Sequence, residues 1–214
     1  RYVIARTPQA LEEAYTRFFA LTNSAPVVQE YLPGAALGCS ILAQDGRVVA
    51  SIAHRRVREY PVTGGPSSCC RVADETPLLR AVCALVRETS FSGVAMFEFK
   101  CGQDGAPRLL ECNPRVWGTY PLTRAAGTNF SYLWCCAALG EPLPDYIRPR
   151  PVKMTYQPAD LAAMLGYLLR GRIARALGVL GSLLDPRVKN GLFEWRDAAP
   201  GLRYFAGLFR RARR

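Results

Sequence analysis

The sequence is poor in histidine and lysine, and its cysteines lack the spacing of a zinc site. It holds one histidine, His54, and its eight cysteines include no Cys-x-x-Cys pair, which excludes a zinc site of familiar spacing. Lysine is also scarce, with Lys100, Lys153 and Lys189 the only three in the chain. No apolar run reaches the roughly 18 residues of a transmembrane helix. The charged residues available for chemistry are thus mainly carboxylates and arginines.

Charge and composition divide the 214 residues into two parts. Half of the residues are hydrophobic and the formal net charge is +11, which is typical of a globular domain with a basic appendage. The stretch Gly-Glu-Pro-Leu-Pro at 140–144 breaks the chain, so we predict one domain over residues 1–145 and a basic, helical extension over 146–214. From residue 165 to the last residue the chain carries 11 Lys and Arg against 3 Asp and Glu.

A β-hairpin is predicted between residues 93 and 115. Strand-forming residues flank Asp104-Gly105, a dipeptide typical of a two-residue type I′ turn. With these two residues at the turn, Glu98 lies directly opposite Glu111. Strand alternation then puts Asn113 on the same face as Glu111.

Two carboxylates opposite each other on one sheet face repel. Three interpretations of the pair remain open: one carboxyl is protonated, both point into water, or a cation lies between them. The amide oxygen of Asn113 and the fixed positive charge of Arg115 favour the cation. Oxygen ligands from two glutamates and an asparagine suit a hard ion such as Mg²⁺, which keeps waters and takes phosphate oxygens as further ligands.

The remaining elements follow from periodicity and capping residues. Asp45-Gly46 predicts a second hairpin, with strands over 38–44 and 47–55, and another strand is predicted over 26–31. Helices are predicted over 8–21, 74–89, 158–170 and 172–184, and two short ones follow residue 120 and Asn129. Trp117 is interpreted as a packing residue rather than a base-stacking one.

An arginine cluster follows the second hairpin. Arg55, Arg56 and Arg58 precede a glycine-rich loop at 63–66, and such a cluster either binds phosphate or carboxylate in forked pairs or forms a solvated face. Strand alternation puts Arg55 and Arg56 on different faces of the sheet.

Four segments in this order resemble the ATP-grasp superfamily: VVQEYLPG, AHRRVREYPVTGG, GVAMFEFK and LLECNPR. The resemblance runs from about residue 2 to residue 140 and is to the C-terminal part of that domain, as in carbamoyl-phosphate synthase and biotin carboxylase. It implies an α+β ATP-grasp fold, an antiparallel sheet with flanking helices. The N-terminal part of the domain is expected to be missing from this sequence.

The resemblance also implies roles for individual residues. Glu98, Glu111 and Asn113 hold the Mg²⁺ or Mn²⁺ ions that bridge the ATP phosphates. Arg115 contacts the transferred phosphoryl group or the acyl phosphate, and Arg55 is a second catalytic candidate. The other cofactor-binding candidates are those lining the adenine and those of the arginine cluster: Gln29, Glu30, Tyr31, Leu32, Arg56 and Arg58.

The implied activity is that of an ATP- and Mg-dependent ligase. It activates a small-molecule carboxylate as an acyl phosphate, which an amine or similar nucleophile then attacks. The alternative is a degenerate ATP-grasp protein that binds nucleotide or serves as a scaffold without ligase activity. This alternative rests on the scarcity of lysine and on the segment at 35–40, which has no carboxylate for the ATP ribose.

Location and further partners are expectations from composition. Several cysteines lie inside apolar runs, which favours reduced thiols and a cytoplasmic protein. The basic end of the chain, Arg210, Arg211, Arg213 and Arg214, either packs on the domain or makes a peripheral contact with an anionic membrane. The sequence has no recognised nucleic-acid-reading motif, which disfavours a nucleic-acid partner.

Overall fold

The structure is a computed structural model that describes residues 2–74, 76–102, 104–144, 147–194 and 197–204. It divides into two compact units, Arg1–Pro33 and Gly34–Arg214. The predicted tail contact with a membrane depends on Arg210, Arg211, Arg213 and Arg214, which lie outside the described residues. Within the described part of the chain, no helix has the length and apolarity needed to cross a membrane.

The first unit contains helix α1, Pro8–Thr22. Thr7 caps it by accepting a hydrogen bond from the Ala10 amide at 3.2 Å, and Pro8 occupies its first turn, as predicted. The strand predicted over 26–31 is wrong, since residues 25–33 have no regular structure. The described residues of this unit include no other strand that could pair with this segment and satisfy its backbone groups.

The second unit is built on one sheet of seven strands in the order β5-β4-β1-β2-β3-β6-β7. All neighbours are antiparallel except β6 and β7, so the predicted α+β class with a largely antiparallel sheet is confirmed. The strands are β1 (Ala35–Gln44), β2 (Arg47–Glu59), β3 (Ser67–Ala73), β4 (Gly93–Cys101), β5 (Pro107–Asn113), β6 (Lys153–Thr155) and β7 (Lys189–Asn190). The helices are α2 (Thr76–Glu88), α3 (Tyr120–Ala125), α4 (Phe130–Leu139), α5 (Ala159–Leu168) and α6 (Ile173–Leu184).

Helices cover both faces of this sheet, and the two faces have separate cores. On one face, α2 buries Leu78, Val82 and Val86 against a cluster that includes Ala53 and Phe99. The opposite face packs against α3 and α4, and its core includes Ile52, Met96, Phe130 and Trp117. Trp117 is buried and makes edge-to-face contacts with Tyr120 and Phe130, which confirms the prediction of a packing role.

Single extra residues interrupt the strand pairing at four places, one of which is Ser68 of β3, between the pairs Arg58–Cys69 and Glu59–Ser67. Ala43 pairs with Val48 but Leu42 pairs with Ala50, so Val49 is an extra residue of β2. Later in the same strand Arg56 pairs with Cys70 and Arg58 with Cys69, which makes Val57 a second one. On β5 the extra residue is Leu110. Such bulges change which face the following side chains occupy.

The C-terminal elements join the same sheet. Strand β6 pairs with β3, and β7 pairs with β6, so the sheet continues beyond residue 145. The division of the chain at that residue remains a prediction. The helical stretches expected in this region are present as α5 and α6.

Candidate functional site

The outer strands of the sheet bring two glutamates together. Glu98 on β4 pairs with Glu111 on β5, so their side chains extend from the same face. The pairing is the one predicted, but the turn is different. Strand β5 begins at Pro107, which pairs with Cys101, and the bulge at Leu110 restores the register by the time the chain reaches Glu111.

A line of hydrogen bonds ties the C-terminal end of β5 to the residues that follow it. The Asn113 amide nitrogen donates to Glu111 Oε1 at 2.7 Å, and the Arg115 guanidinium donates to Asn113 Oδ1 at 3.0 Å. Glu111 and Arg115 are exposed and Asn113 is half-buried. The three side chains predicted at this end of the hairpin therefore form one connected and accessible group.

Glu98 is held from the other side by Arg56. The Arg56 guanidinium donates to Glu98 Oε2 at 3.1 Å, and its second terminal nitrogen lies 3.4 Å from both Glu59 Oε1 and the Gly65 carbonyl oxygen. The loop after β2 folds closely on itself here, because a Cβ on Gly65 would lie 2.4 Å from the Tyr60 carbonyl oxygen. Glycine is thus required for the approach of the loop to its own backbone.

The donor atoms fit a hard divalent cation. Glu98, Glu111 and Asn113 offer carboxylate and amide oxygens, which suit Mg²⁺ or Mn²⁺ with water and phosphate oxygens completing the shell. Two carboxylates in a cross-strand pair favour a bound cation, and Arg56 balances only one of them. No group of three His, Cys, Asp or Glu side chains in the described ranges is arranged for a metal, so phosphate or water oxygens would have to supply the remaining ligands.

His54 and Gly38 extend the same row across the sheet. Glu98 pairs with Gly38, which pairs with His54. A Cβ on Gly38 would lie 2.3 Å from the His54 ring, so glycine leaves the space that the imidazole fills. Burial, with a smaller contribution from the charge of Arg56, lowers the pKa of His54 from 6.5 to about 4. The imidazole is therefore neutral at neutral pH, and its Nε2 lies 3.3 Å from the Thr119 hydroxyl.

Sequence reasoning missed this histidine because it tested His54 only as a zinc ligand. The signal that could have found it is the pairing of a glycine with a bulky residue across a hairpin. The bulge at Val49 hides that signal, since an uninterrupted hairpin turning at Asp45-Gly46 would pair Gly38 with Ala53.

Arg58 occupies a different environment from Arg56. The bulge at Val57 turns it to the face covered by α5 and α6, where it is buried against Asp160 with contacts of 2.8 and 2.6 Å. It also donates to the Ser182 hydroxyl and the Gly178 carbonyl oxygen. A phosphate would have to displace Asp160 to reach this guanidinium, so the structure does not place Arg58 with the other cofactor-binding candidates.

Arg55 also lies away from the two glutamates. It pairs with Leu37, which pairs with Phe99, and that row belongs to the face opposite Glu98. The charge of Arg55 instead acts on the Cys101 thiol, where burial raises the pKa and Arg55 opposes the rise. The predicted catalytic pair of Arg115 and Arg55 is therefore not brought together on one face.

The four candidates for adenine contact lie in the first unit. Gln29, Glu30 and Tyr31 are exposed and Leu32 is half-buried. They belong to the segment without regular structure that precedes Gly34. Their role stays a prediction.

The sequence is similar to a family model and to a curated protein. A family model described as "ATP-grasp in the biosynthetic pathway with Ter operon" matches residues 23–160. Carnosine synthase 1 of Gallus gallus is 30% identical over an alignment of 164 residues that covers 72% of this chain and 18% of that protein. The chain thus spans about a fifth of the length of this relative.

Solved structures share the fold at low sequence identity. The L-amino acid ligase of Bacillus licheniformis has a TM-score of 0.51 at 20% identity, over 68% of this chain and 41% of its own. The N5-carboxyaminoimidazole synthetase of Staphylococcus aureus in complex with ADP has a TM-score of 0.51 at 15% identity, over 72% and 42%. The biotin carboxylase domain of the 2-oxoglutarate carboxylase of Hydrogenobacter thermophilus, with MgADP and bicarbonate, has a TM-score of 0.51 at 15% identity, over 66% and 34%.

Proposed function

This chain belongs to the ATP-grasp family, and on that premise we propose that it carries metal- and phosphate-binding residues of an ATP-dependent ligase joining a carboxylate to an amine. The observation that carries the proposal is the cross-strand pair of Glu98 and Glu111, with Arg56 bonded to the first and Asn113 to the second. The names of two similar proteins, a carnosine synthase and an L-amino acid ligase, support the ligase class.

The proposed reaction has two displacements. A carboxylate oxygen attacks the γ-phosphorus of ATP, the bond to the β-phosphate oxygen breaks, and ADP leaves with the electron pair. The amine nitrogen then attacks the acyl carbon of the acyl phosphate, inorganic phosphate leaves, and the nitrogen loses a proton. Neither displacement requires a nucleophile from the protein, which agrees with a site of acids and arginines.

The residues of this chain would position and neutralise charge. Glu98, Glu111 and Asn113 would hold Mg²⁺ or Mn²⁺, whose chemistry here is to neutralise the phosphate oxygens. ADP is present in two of the solved structures of similar fold, in one of them as a magnesium salt. Arg115 is exposed at the end of the hydrogen-bonded line from Glu111 and would meet the transferred phosphoryl group or the acyl phosphate. Arg56 would fix the orientation of Glu98 and add positive charge beside the phosphates.

Thermal unfolding of the full-length protein with and without Mg-ATP tests the nucleotide site. A ligand at about 100 times its Kd stabilises by about 2.7 kcal/mol, which corresponds to roughly 5–10 °C for a domain of this size. We expect this shift in the wild type to require Mg²⁺ and to vanish in Glu111→Gln. A control variant, Glu88→Gln, removes an exposed carboxylate on α2 and should keep the full shift.

Release of ADP in the presence of acids and amines tests the reaction class. Glu111→Gln should abolish it and Glu88→Gln should not. A wild-type protein without a Mg-dependent shift would contradict the proposal and favour a degenerate nucleotide-binding or scaffold protein. Full ADP release by Glu111→Gln would contradict the assignment of the metal ligands.

A further inference from the structure

Three positive side chains stand in one row across β2, β3 and β6. Arg55 pairs with Arg71, and Arg71 pairs with Lys153, so all three extend from the same face of the sheet. Arg55 and Arg71 are exposed and Lys153 is half-buried. This is the face opposite Glu98 and Glu111, so the row is separate from the proposed metal site. Like charges in directly paired positions repel.

Among the described residues, no carboxylate is paired with either arginine of this row. No hydrogen bond or ion pair joins the Arg55 or Arg71 guanidinium to another residue in the described ranges. Lys153 donates to the Ser182 hydroxyl at 2.8 Å, a neutral partner. Asp160 is paired with Arg58. Asp185 binds Arg187, and the charge of Lys153 makes a smaller contribution to the lowered pKa of this carboxyl.

A cavity of about 350 Å³ opens at this row, lined by Arg55, Arg56, Val57, Arg71 and Lys153. Its size is at the lower end of the range for small-molecule sites in proteins. The Arg56 guanidinium is bonded to Glu98, which leaves the other three cations to define the charge of the cavity. Two guanidinium groups and an ammonium offer forked and single donors to an oxyanion.

We propose that Arg55, Arg71 and Lys153 form a second anion-binding site, for a small molecule carrying a doubly charged oxyanion, either a phosphate group or a dicarboxylate. The site lies on the sheet face opposite the proposed metal site, and anion binding there requires neither Mg²⁺ nor nucleotide. Its ligand offsets two of the three positive charges of the row, with the two arginines bonding its oxygens and Lys153 adding a third positive charge. Arg55 thus has a binding role on a face that the phosphoryl-transfer residues do not share.

Anion titrations followed by thermal unfolding test the site. Sodium phosphate or sodium malonate replaces chloride at constant ionic strength, with Mg²⁺ and nucleotide absent. We expect at least one of the two anions to raise the Tm of the wild type in a saturable way, and the comparison identifies which oxyanion the site takes. The apparent Kd should rise at least tenfold in Arg55→Gln and in Arg71→Gln. Both variants should fold, because neither replaced arginine makes a hydrogen bond or an ion pair with another described residue.

Two controls separate this site from other cationic surfaces and from the nucleotide site. Arg47→Gln removes one exposed arginine at the start of β2 and should keep the wild-type Kd for the anion. Glu111→Gln should keep it as well, even though it loses the response to Mg-ATP. Failure of both anions to stabilise the wild type, or unchanged binding in the Arg55→Gln and Arg71→Gln variants, would overturn the proposal and leave the ligase assignment untouched.

Discussion

Replacing Asp160 by asparagine removes the carboxylate that balances Arg58 in the interior of the second unit. The Asp160 side chain is fully buried and that of Arg58 is 7% exposed, with 2.6 Å between Arg58 and Asp160 Oδ2. The Ser68 hydroxyl donates to the same carboxylate at 3.0 Å. The pair connects β2 to α5, and a bond from Arg58 to Ser182 reaches α6.

The expected cost follows from leaving one charge buried without its partner. Removing one member of a buried ion pair typically destabilises by about 3–5 kcal/mol. For a chain of this length that lowers Tm by roughly 6–20 °C. We expect Asp160→Asn and Arg58→Met each to fall in this range. The double variant buries no charge, so it should be less destabilised than the sum of the single variants by about 2–3 kcal/mol.

Urea denaturation of the four proteins measures these free energies, because the midpoint and slope give stability where unfolding is two-state. Additive losses would show that the two charges do not stabilise each other, and the description of the pair would be wrong. Mg-ATP affinity gives an independent test. We expect the folded double variant to bind Mg-ATP as the wild type does. A tenfold or greater loss of Mg-ATP affinity would instead support the phosphate-binding role that the sequence predicts for Arg58.

Three further predictions concern the interior of the sheet. The folded protein keeps His54 neutral down to about pH 4, whereas the unfolded chain protonates it near pH 6.5. The neutral imidazole therefore contributes its full stability above pH 6.5, and the free energy of unfolding decreases as the pH falls toward 4. Urea denaturation across that range should show a loss of about 3 kcal/mol that is absent in His54→Gln. Gly38→Ala places a Cβ against the His54 ring and should cost about 1–3 kcal/mol in the same assay at pH 7, whereas an unchanged midpoint would show that the ring can move. Burial raises the pKa of Cys69 to about 11 and of Cys70 to about 12. Mass spectrometry after iodoacetamide treatment at pH 8 should therefore find both thiols unmodified in the native protein and labelled after unfolding. Labelling of either thiol in the folded protein would contradict this prediction.

The helices and the two hairpins could be predicted because their signals are local. Thr7, Asp74 and Asn129 cap helices as expected, each accepting a hydrogen bond from a nearby backbone amide. Asp45 and Gly46 both have positive φ, as a type I′ turn requires. Strands β6 and β7 were missed because three and two residues are too few to show a period of two. The strand expected over 26–31 has the right composition, and composition cannot supply a partner strand.

Register could not be predicted, because it depends on bulges that leave no mark in the residue pattern. The predicted two-residue turn at Asp104-Gly105 is absent: only Gly105 of the two has positive φ, and its amide bonds to the Gly102 carbonyl oxygen. Glu98 still pairs with Glu111, because the extra residue Leu110 offsets the different turn. The correct pairing was therefore reached from a wrong turn. In the row through Gly38 and His54 a bulge had the opposite effect. There the extra residue Val49 made the register expected from the turn wrong, so the pairing of Gly38 with His54 could not be predicted.

The arginine cluster shows how strongly one inserted residue sets the chemistry of this sheet. With strict alternation Arg58 would share a face with Arg56, and two guanidinium groups would compete with a metal ion for Glu98. The bulge at Val57 moves Arg58 to the opposite face, where it binds Asp160 and joins α5 to the sheet. One arginine then remains beside Glu98 and orients that carboxylate, while Glu111 keeps a charge that the proposed cation would balance. On the other face Asp160 is paired with Arg58. The positive charges of Arg55, Arg71 and Lys153 are therefore available to the proposed anion.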